Sequence, residues 1–385
     1  MSNARNIAAL STVEVGATAD QTKSDLNAIG VSGGRKNLII NGGMQVSQRG
    51  TSFSGISAMT HTLDRMKIAF GGGFEELAVK SEQSSDSPDG FSNSHKLTIT
   101  TAETTLAVDE RLSLMFDMEG QDVQHLGSGT VNAKAVTMSF LVKSSVVGTY
   151  ALYAYGYQGN EIESHSITVD LANTWEKKSV TFSANTSTSL FANDNSKELE
   201  VALVLSAGSN FKGAGADTWS VYSTTNLANA QTVDIASTLN ATFQITGVQL
   251  ELGSVATDFE HRSFGEELAL CQRYYEIIAD GGRANDSPYF GVGQGVKSDQ
   301  INWFYDFKAE KRATFTLIVP TVSNGYAAKT HSTTKSHSTL GFASVHQSLH
   351  SIMGYMTNIG GVTEQSCWQM QLNSASAHIA VSAEL

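Results

Sequence analysis

The sequence predicts a mainly β protein. It reads as a jelly-roll β-sandwich followed by a smaller C-terminal β-sandwich, with a short N-terminal helical anchor and one linking helix. Three observations carry that reading: apolar residues recur at period two, turn residues punctuate those runs, and charge is sparse. Of 385 residues, 41% are hydrophobic and only 16% charged, against about 25% charged in an ordinary globular chain. Ser, Thr, Asn and 34 Gly fill the difference. These residues suit strands and turns better than long exposed helices, where Glu and Lys are favoured.

Residues 1–36 read as a separate unit. Thr18-Ala19-Asp20-Gln21 fits a capping box, in which the Thr18 hydroxyl and the Gln21 side chain satisfy orphan backbone N–H groups. Asp20 near the start and Gly30 at the end agree with a helix over 19–29. Leu26 and Ile29 give it a thin apolar stripe. So short a helix is marginal alone, which points to docking on a partner, with Ser32-Gly33-Gly34 as a hinge.

From 37 to 262 strands follow one another. Val136, Met138, Phe140 and Val142 alternate with Thr137, Ser139 and Leu141, and Val201, Leu203 and Leu205 repeat the pattern. Tyr150, Leu152, Tyr153, Tyr155 and Tyr157 form an aromatic-rich run. Near the end, Phe243 and Ile245 are odd-numbered whereas Val248, Leu250 and Leu252 are even-numbered, a phase switch that a β-bulge at Gly247 explains. Asp89-Gly90 and Gly71-Gly72-Gly73 mark turns. The strand spacing suits a jelly roll.

Residues 263–279 carry the linking helix. Ser263-Phe264-Gly265-Glu266 is a second capping box, and the apolar pattern runs over 264–278. Leu268, Cys271 and Tyr275 share one face and Leu270, Tyr274 and Ile278 an adjoining one, so the helix is expected to be covered on two sides. Residues 280–385 return to strands at 289–292, 301–307, 314–319 and 377–383. This part is polar and nearly neutral, and it is the expected tip.

Net charge is −12, which argues against a phosphate-binding surface, because affinity for nucleic acid rests on clustered Lys and Arg. The two cysteines, Cys271 and Cys367, are too few for a disulfide framework. The N-terminus lacks the pattern of a signal peptide and no run is long enough to span a bilayer. A soluble product of a cytoplasm is the expectation, with no membrane insertion.

No nucleophile elbow supports a Ser/His/Asp hydrolase. Gly291-Val292-Gly293-Gln294-Gly295 lacks the Lys of a phosphate loop. The carboxylate pairs Asp109-Glu110, Glu198/Glu200 and Asp258/Glu260 could flank a sugar, but surface solubility explains them as well. The chain therefore reads as a non-enzyme that needs no cofactor. His331, His337, His346 and His350 lie close in sequence; His346 and His350, four apart, are the candidate metal ligands, and the cluster gains charge below about pH 6.5. For glycan binding the candidates are aromatic, since sugar C–H faces stack on flat rings. Tyr155 and Tyr157, flanked by Gly156, Gln158, Gly159 and Asn160, stand out with Tyr153 and Trp175. Trp303, Tyr305 and Trp368 are their counterparts in the C-terminal part.

Two segments carry a resemblance. One is Asn37-Leu38-Ile39-Ile40-Asn41-Gly42-Gly43-Met44-Gln45-Val46-Ser47-Gln48-Arg49-Gly50-Thr51-Ser52-Phe53, soon followed by Leu63-Asp64-Arg65. The other is Ile245-Thr246-Gly247-Val248-Gln249-Leu250-Glu251-Leu252-Gly253-Ser254, continuing through Phe259-Glu260 to Cys271-Gln272-Arg273-Tyr274-Tyr275. Read as the opening and closing strands of one sandwich, they resemble segments of the bacteriophage tail-fibre or virion-fibre family with a carbohydrate-binding-like jelly-roll domain. The leader Asp20–Leu26 and the final Ala383-Glu384-Leu385 fit the same family. The resemblance implies a homotrimeric appendage on the phage particle. Residues 1–36 would join it to other tail or capsid proteins, and a host-surface glycan is the implied receptor. Two alternatives follow: a decorating structural fibre with no receptor role, and a virion-borne glycan-degrading enzyme.

Overall fold

A computed structural model describes residues 35–187, 191–213, 217–281 and 289–385, the side chains of 343–347 excepted. The helix expected over 19–29, and nearly all of the 1–36 unit, lies outside the described residues.

Two antiparallel sheets face each other. The six-stranded sheet runs in the order Ser52–Ile56, Ala78–Ser84, Ser94–Thr101, Thr242–Leu252, Val136–Ser144, Glu176–Phe182. The seven-stranded sheet runs Ser220–Val221, Glu161–Val169, Gly148–Gly156, Lys197–Ala207, Arg111–Glu119, Lys67–Gly71, Thr60–His61. This is the jelly-roll sandwich. Period-two alternation decides which residues fill it. Leu112, Leu114, Phe116 and Met118 point inward from one strand and Leu199, Val201, Leu203 and Leu205 from its neighbour. They meet Met138, Phe140, Val142, Phe243 and Ile245 of the opposite sheet. Each such fully buried side chain contributes about 1.5–3 kcal/mol by leaving water.

The bulge falls where the phase switch placed it. Pairing between Thr242–Leu252 and Val136–Ser144 slips between Thr246 and Gln249, with Gly247 at φ 62°, a left-handed value that glycine reaches without penalty.

Residues 37–50 are not an opening strand; the first strand among the described residues is Ser52–Ile56. The segment is an irregular clasp, because asparagine side chains take over the pairing that a strand's backbone would supply. Asn37 donates from Nδ2 to the Val248 carbonyl (3.0 Å) and accepts from Leu250 N (3.0 Å) and Ile39 N (2.9 Å). Asn41, at φ 62°, donates to the Val46 and Asp64 carbonyls (2.8 and 2.9 Å) and accepts from Val46 N (2.9 Å). A Cβ on Gly42 would lie 2.0 Å from the Val248 carbonyl oxygen, so only glycine lets the clasp sit this close to the strand.

The linking helix spans Phe264–Gln272 and has the expected capping box: Ser263 and Glu266 exchange side-chain and backbone hydrogen bonds. It is shorter than the 264–278 expected. Tyr275–Asp280 forms a strand instead, paired with His378–Ser382. The apolar residues that looked like a second helix face satisfy strand period equally well, and sheet pairing at 378–382 wins. Cys271 and Tyr274 pack with Ile40 and Val46, joining helix to clasp.

In the C-terminal part, a three-stranded sheet (Tyr275–Asp280, His378–Ser382, Thr316–Ile318) packs with a seven-stranded one. Its order is Thr334–His337, Tyr326–Lys329, Cys367–Leu372, Tyr289–Lys297, Gln300–Asp306, Ser351–Met356, Gly341–Gln347. Trp303, Tyr326, Met370 and Ile379 lie in the core between them. The chain end returns to the clasp. Glu384 accepts from Arg49 (2.8 Å) and Arg65 (2.5 Å), and Arg65 also donates to the Asp117 carbonyl (2.7 Å) and stacks on Tyr274.

Candidate functional site

The strands that send even-numbered or odd-numbered apolar residues into the core send the alternate ones to the outer face of the seven-stranded sheet. There the sequence supplies Lys67, Arg111, Met115 and Asp117, then Tyr153 and Tyr155, then Glu200. Cross-strand register brings them together: Lys67 pairs with Met115, Asp117 with Glu200, and Glu200 with Tyr155. Small residues beside them, Ala69, Ala151 and Ala202, leave a hollow. The result is a recess of about 370 Å³ lined by Met59, Lys67, Arg111, Met115, Tyr153, Tyr155, Tyr157, Lys197, Glu200, Tyr222 and Leu227.

One wall is aromatic. Tyr155 sits edge-on to Tyr157 (4.6 Å between ring centres) and to Tyr222 (5.2 Å). The hairpin after Gly148–Gly156 places Tyr157. Asn160 N donates to the Tyr157 carbonyl (3.2 Å), Asn160 takes φ 50°, and its side chain accepts the Tyr155 hydroxyl (2.8 Å). Tyr157 remains 39% exposed.

The floor is a charge ladder. Lys67 pairs with Asp117 (2.5 Å), and Lys197 reaches both Asp117 (2.8 Å) and Glu200 (2.6 Å). Glu200 accepts the Tyr153 and Tyr157 hydroxyls on its two oxygens (2.8 and 2.9 Å), while the Lys197 ammonium lies 4.4 Å over the Tyr157 ring. Burial pushes the Asp117 carboxyl up, but Lys197 and Lys67 outweigh it and hold it below the carboxylate range. Burial, then Glu200, pushes the Tyr157 phenol well above its ordinary value, so it stays a donor.

The expected site residues separate. Tyr155 and Tyr157 line the recess. Trp175 stands apart, half-buried at the start of the edge strand Glu176–Phe182, with the Lys143 ammonium 5.8 Å from its ring. Trp303 and Trp368 are core residues, 0% and 3% exposed, and offer no face to a ligand. Their burial is the correction to their candidacy: inward strand positions between two sheets demand large apolar groups. His350 is exposed in the turn after Gly341–Gln347. His346 falls within that strand and its side chain lies outside the described ones. Strand and turn, not helix, underlie their spacing, so the i, i+4 geometry that favoured metal binding is absent. No metal-ligating cluster occurs among the described residues.

The carboxylates of the sequence pairs also part. Glu260 accepts Lys36 N (2.9 Å) and Asn37 N (2.8 Å), anchoring the clasp, and only Glu200 reaches the recess. Sequence reading missed Lys67, Arg111, Lys197 and Tyr222. Charged residues at period two within otherwise apolar strands were the available signal; the register that unites them was not.

No family model matches the chain, and no curated protein matches it. Among solved structures, the enzymatically active domain of tailspike protein 4 from bacteriophage CBA120 is similar over 56% of this chain, at 12% identity and a TM-score of 0.29. The likeness spans only 21% of that tailspike domain. The family 11 carbohydrate-binding module of the cellulase Lic26A-Cel5E of Clostridium thermocellum is similar over 55% of this chain and 98% of its own, at 12% identity and a TM-score of 0.27. TmCBM61, solved with β-1,4-galactotriose, is similar over 57% and 99%, at 10% identity and a TM-score of 0.29. Likenesses this distant assign neither a function nor a ligand.

Proposed function

We propose that this chain is a non-catalytic attachment protein of a phage particle, a tail-fibre or receptor-binding protein whose jelly roll holds a host-surface glycan in the tyrosine-walled recess. The recess is the single observation that carries the reading. It combines flat rings for sugar C–H faces with hydroxyl, ammonium and carboxylate groups for sugar hydroxyls, the usual make-up of a small-ligand site. The clasp and closing motifs, which resemble those of virion fibres, supply the setting. In it the protein is a homotrimer joined to tail or capsid through residues 1–36.

The charge ladder favours binding over catalysis. Asp117 and Glu200 face each other across paired strands, as two carboxyls of a glycosidase must. A general acid, however, needs a carboxyl held high, and Asp117 is held low by two lysines. Both Glu200 oxygens are already engaged by tyrosine hydroxyls.

The test is a glycan array probed with the full chain and with a Tyr155→Ala/Tyr157→Ala variant. Retention of a defined glycan by the wild type, its loss in the variant, and no release of reducing ends are expected. Equal retention by the variant, or none by the wild type, overturns the glycan reading. A strictly monomeric protein at micromolar concentration in light scattering overturns the trimer.

A further inference from the structure

Among the described residues, Arg111 is the one cation of the recess that the ladder leaves unused. Lys67 and Lys197 both have carboxylates within 3 Å. Arg111 makes no ion pair among the described residues, and its Nε is buried without a hydrogen-bond partner. The Ser113 hydroxyl, two residues along the same face, is likewise buried and unpartnered. Buried donors without partners are rare in folded proteins, and each calls for a physical account; at the recess, a bound acceptor supplies one. The guanidinium is nevertheless held in place. Its carbon lies 5.9 Å from the Tyr153 ring and 5.5 Å from the Phe211 ring, and its stem passes beside Gly71, where a Cβ would come 3.6 Å from Nε.

Local charge agrees. Lys67, Arg111 and Lys197 face Asp117 and Glu200, so the recess holds one positive charge in excess within a chain of net charge −12. An aromatic surround lowers the local dielectric and strengthens an ion pair formed there. A planar guanidinium binds an oxyanion through two parallel N–H donors, which a lysine cannot do.

We propose that the glycan held in this recess is anionic, carrying an oxyanion substituent that pairs with Arg111 while a sugar ring rests on Tyr155 and Tyr157. The inference rests on the glycan-binding reading and narrows its ligand class. Carboxylate, sulfate and phosphate substituents share this chemistry.

The experiment uses the full chain on an array of neutral, carboxylated, sulfated and phosphorylated oligosaccharides. Any carboxylated hit is also presented after its carboxyls have been reduced to alcohols. Binding confined to oxyanion-bearing glycans is expected, with the substituent class of the hits naming the source. Arg111→Gln should weaken it about tenfold or more, the usual loss for a charge-assisted pair. Arg111→Lys should restore only part, and an unchanged melting temperature for both variants shows that the fold is intact. Neutral glycans binding as well as charged ones, or undiminished binding by Arg111→Gln, overturns the anionic inference and leaves the glycan reading standing. Absence of any glycan bound by the wild type overturns both.

Discussion

Removing the Glu384 carboxylate tests how the chain end is tied to the sandwich. The side chain is 7% exposed and sits between Arg49 (2.8 Å) and Arg65 (2.5 Å), the latter itself only 4% exposed. Arg65 also occupies a left-handed backbone conformation, φ 65°, which a residue with a Cβ adopts at some cost. Glu384→Ala leaves a buried guanidinium without its carboxylate, a change that typically costs about 3–5 kcal/mol. At about 2–3 °C per kcal/mol for a unit of this size, the melting temperature should fall by about 6–15 °C. Burial pushes the Glu384 carboxyl up, but Arg65 and Arg49 outweigh it and hold it below its ordinary value of 4.5. Its stabilising contribution is therefore complete above about pH 4.5 and is lost as pH falls through the lower folded value. The gap between wild type and variant, read by circular dichroism melts from pH 7 to pH 3, should close at the acid end. A loss below about 1 kcal/mol, or a gap that does not change with pH, would refute the argument. Glu384→Gln, which keeps hydrogen-bonding atoms in place, should fall between the two.

Two further outcomes concern the cores. Gly354→Ala brings a Cβ to 2.2 Å from the Trp303 ring, so it should destabilise the C-terminal sandwich by about 1–3 kcal/mol or more. The shift should appear in the tryptophan fluorescence melt while glycan binding at low temperature is unchanged. His95 is fully buried beside Ser81 (2.8 Å) and burial drives its pKa down from 6.5 to about 3. The unfolded chain therefore takes up a proton that the folded one refuses, so stability should fall by about 1.4 kcal/mol per pH unit below 6.5. His95→Gln should flatten that slope in denaturant titrations, and an unchanged slope would count against it.

Some elements were readable residue by residue. The inward sets Val136–Val142 and Val201–Leu205 were legible because period two is a local property. The Gly247 bulge was legible because a phase switch is local too, and the Ser263 capping box because four residues contain it. Tyr157 stood out through its Gly and Asn neighbours, which favour an exposed position. Other features were not legible. Tyr275 and the residues after it fit helix and strand alike, and a partner strand a hundred residues downstream decided between them. Trp303 and Trp368 looked the same as Tyr155 and Tyr157 by type, and differ only in which side of a sheet they face.

What the sequence by itself determined is the class of fold and the inward and outward faces of its strands, since side-chain alternation and turn chemistry act over a few residues. Tertiary structure alone decided the site. Lys67, Arg111, Tyr157, Lys197 and Glu200 come from four stretches of chain, Lys197 and Glu200 sharing one strand. Antiparallel register, fixed by the burial of the opposite face, sets them side by side, and among the described residues it leaves Arg111 without a carboxylate of its own.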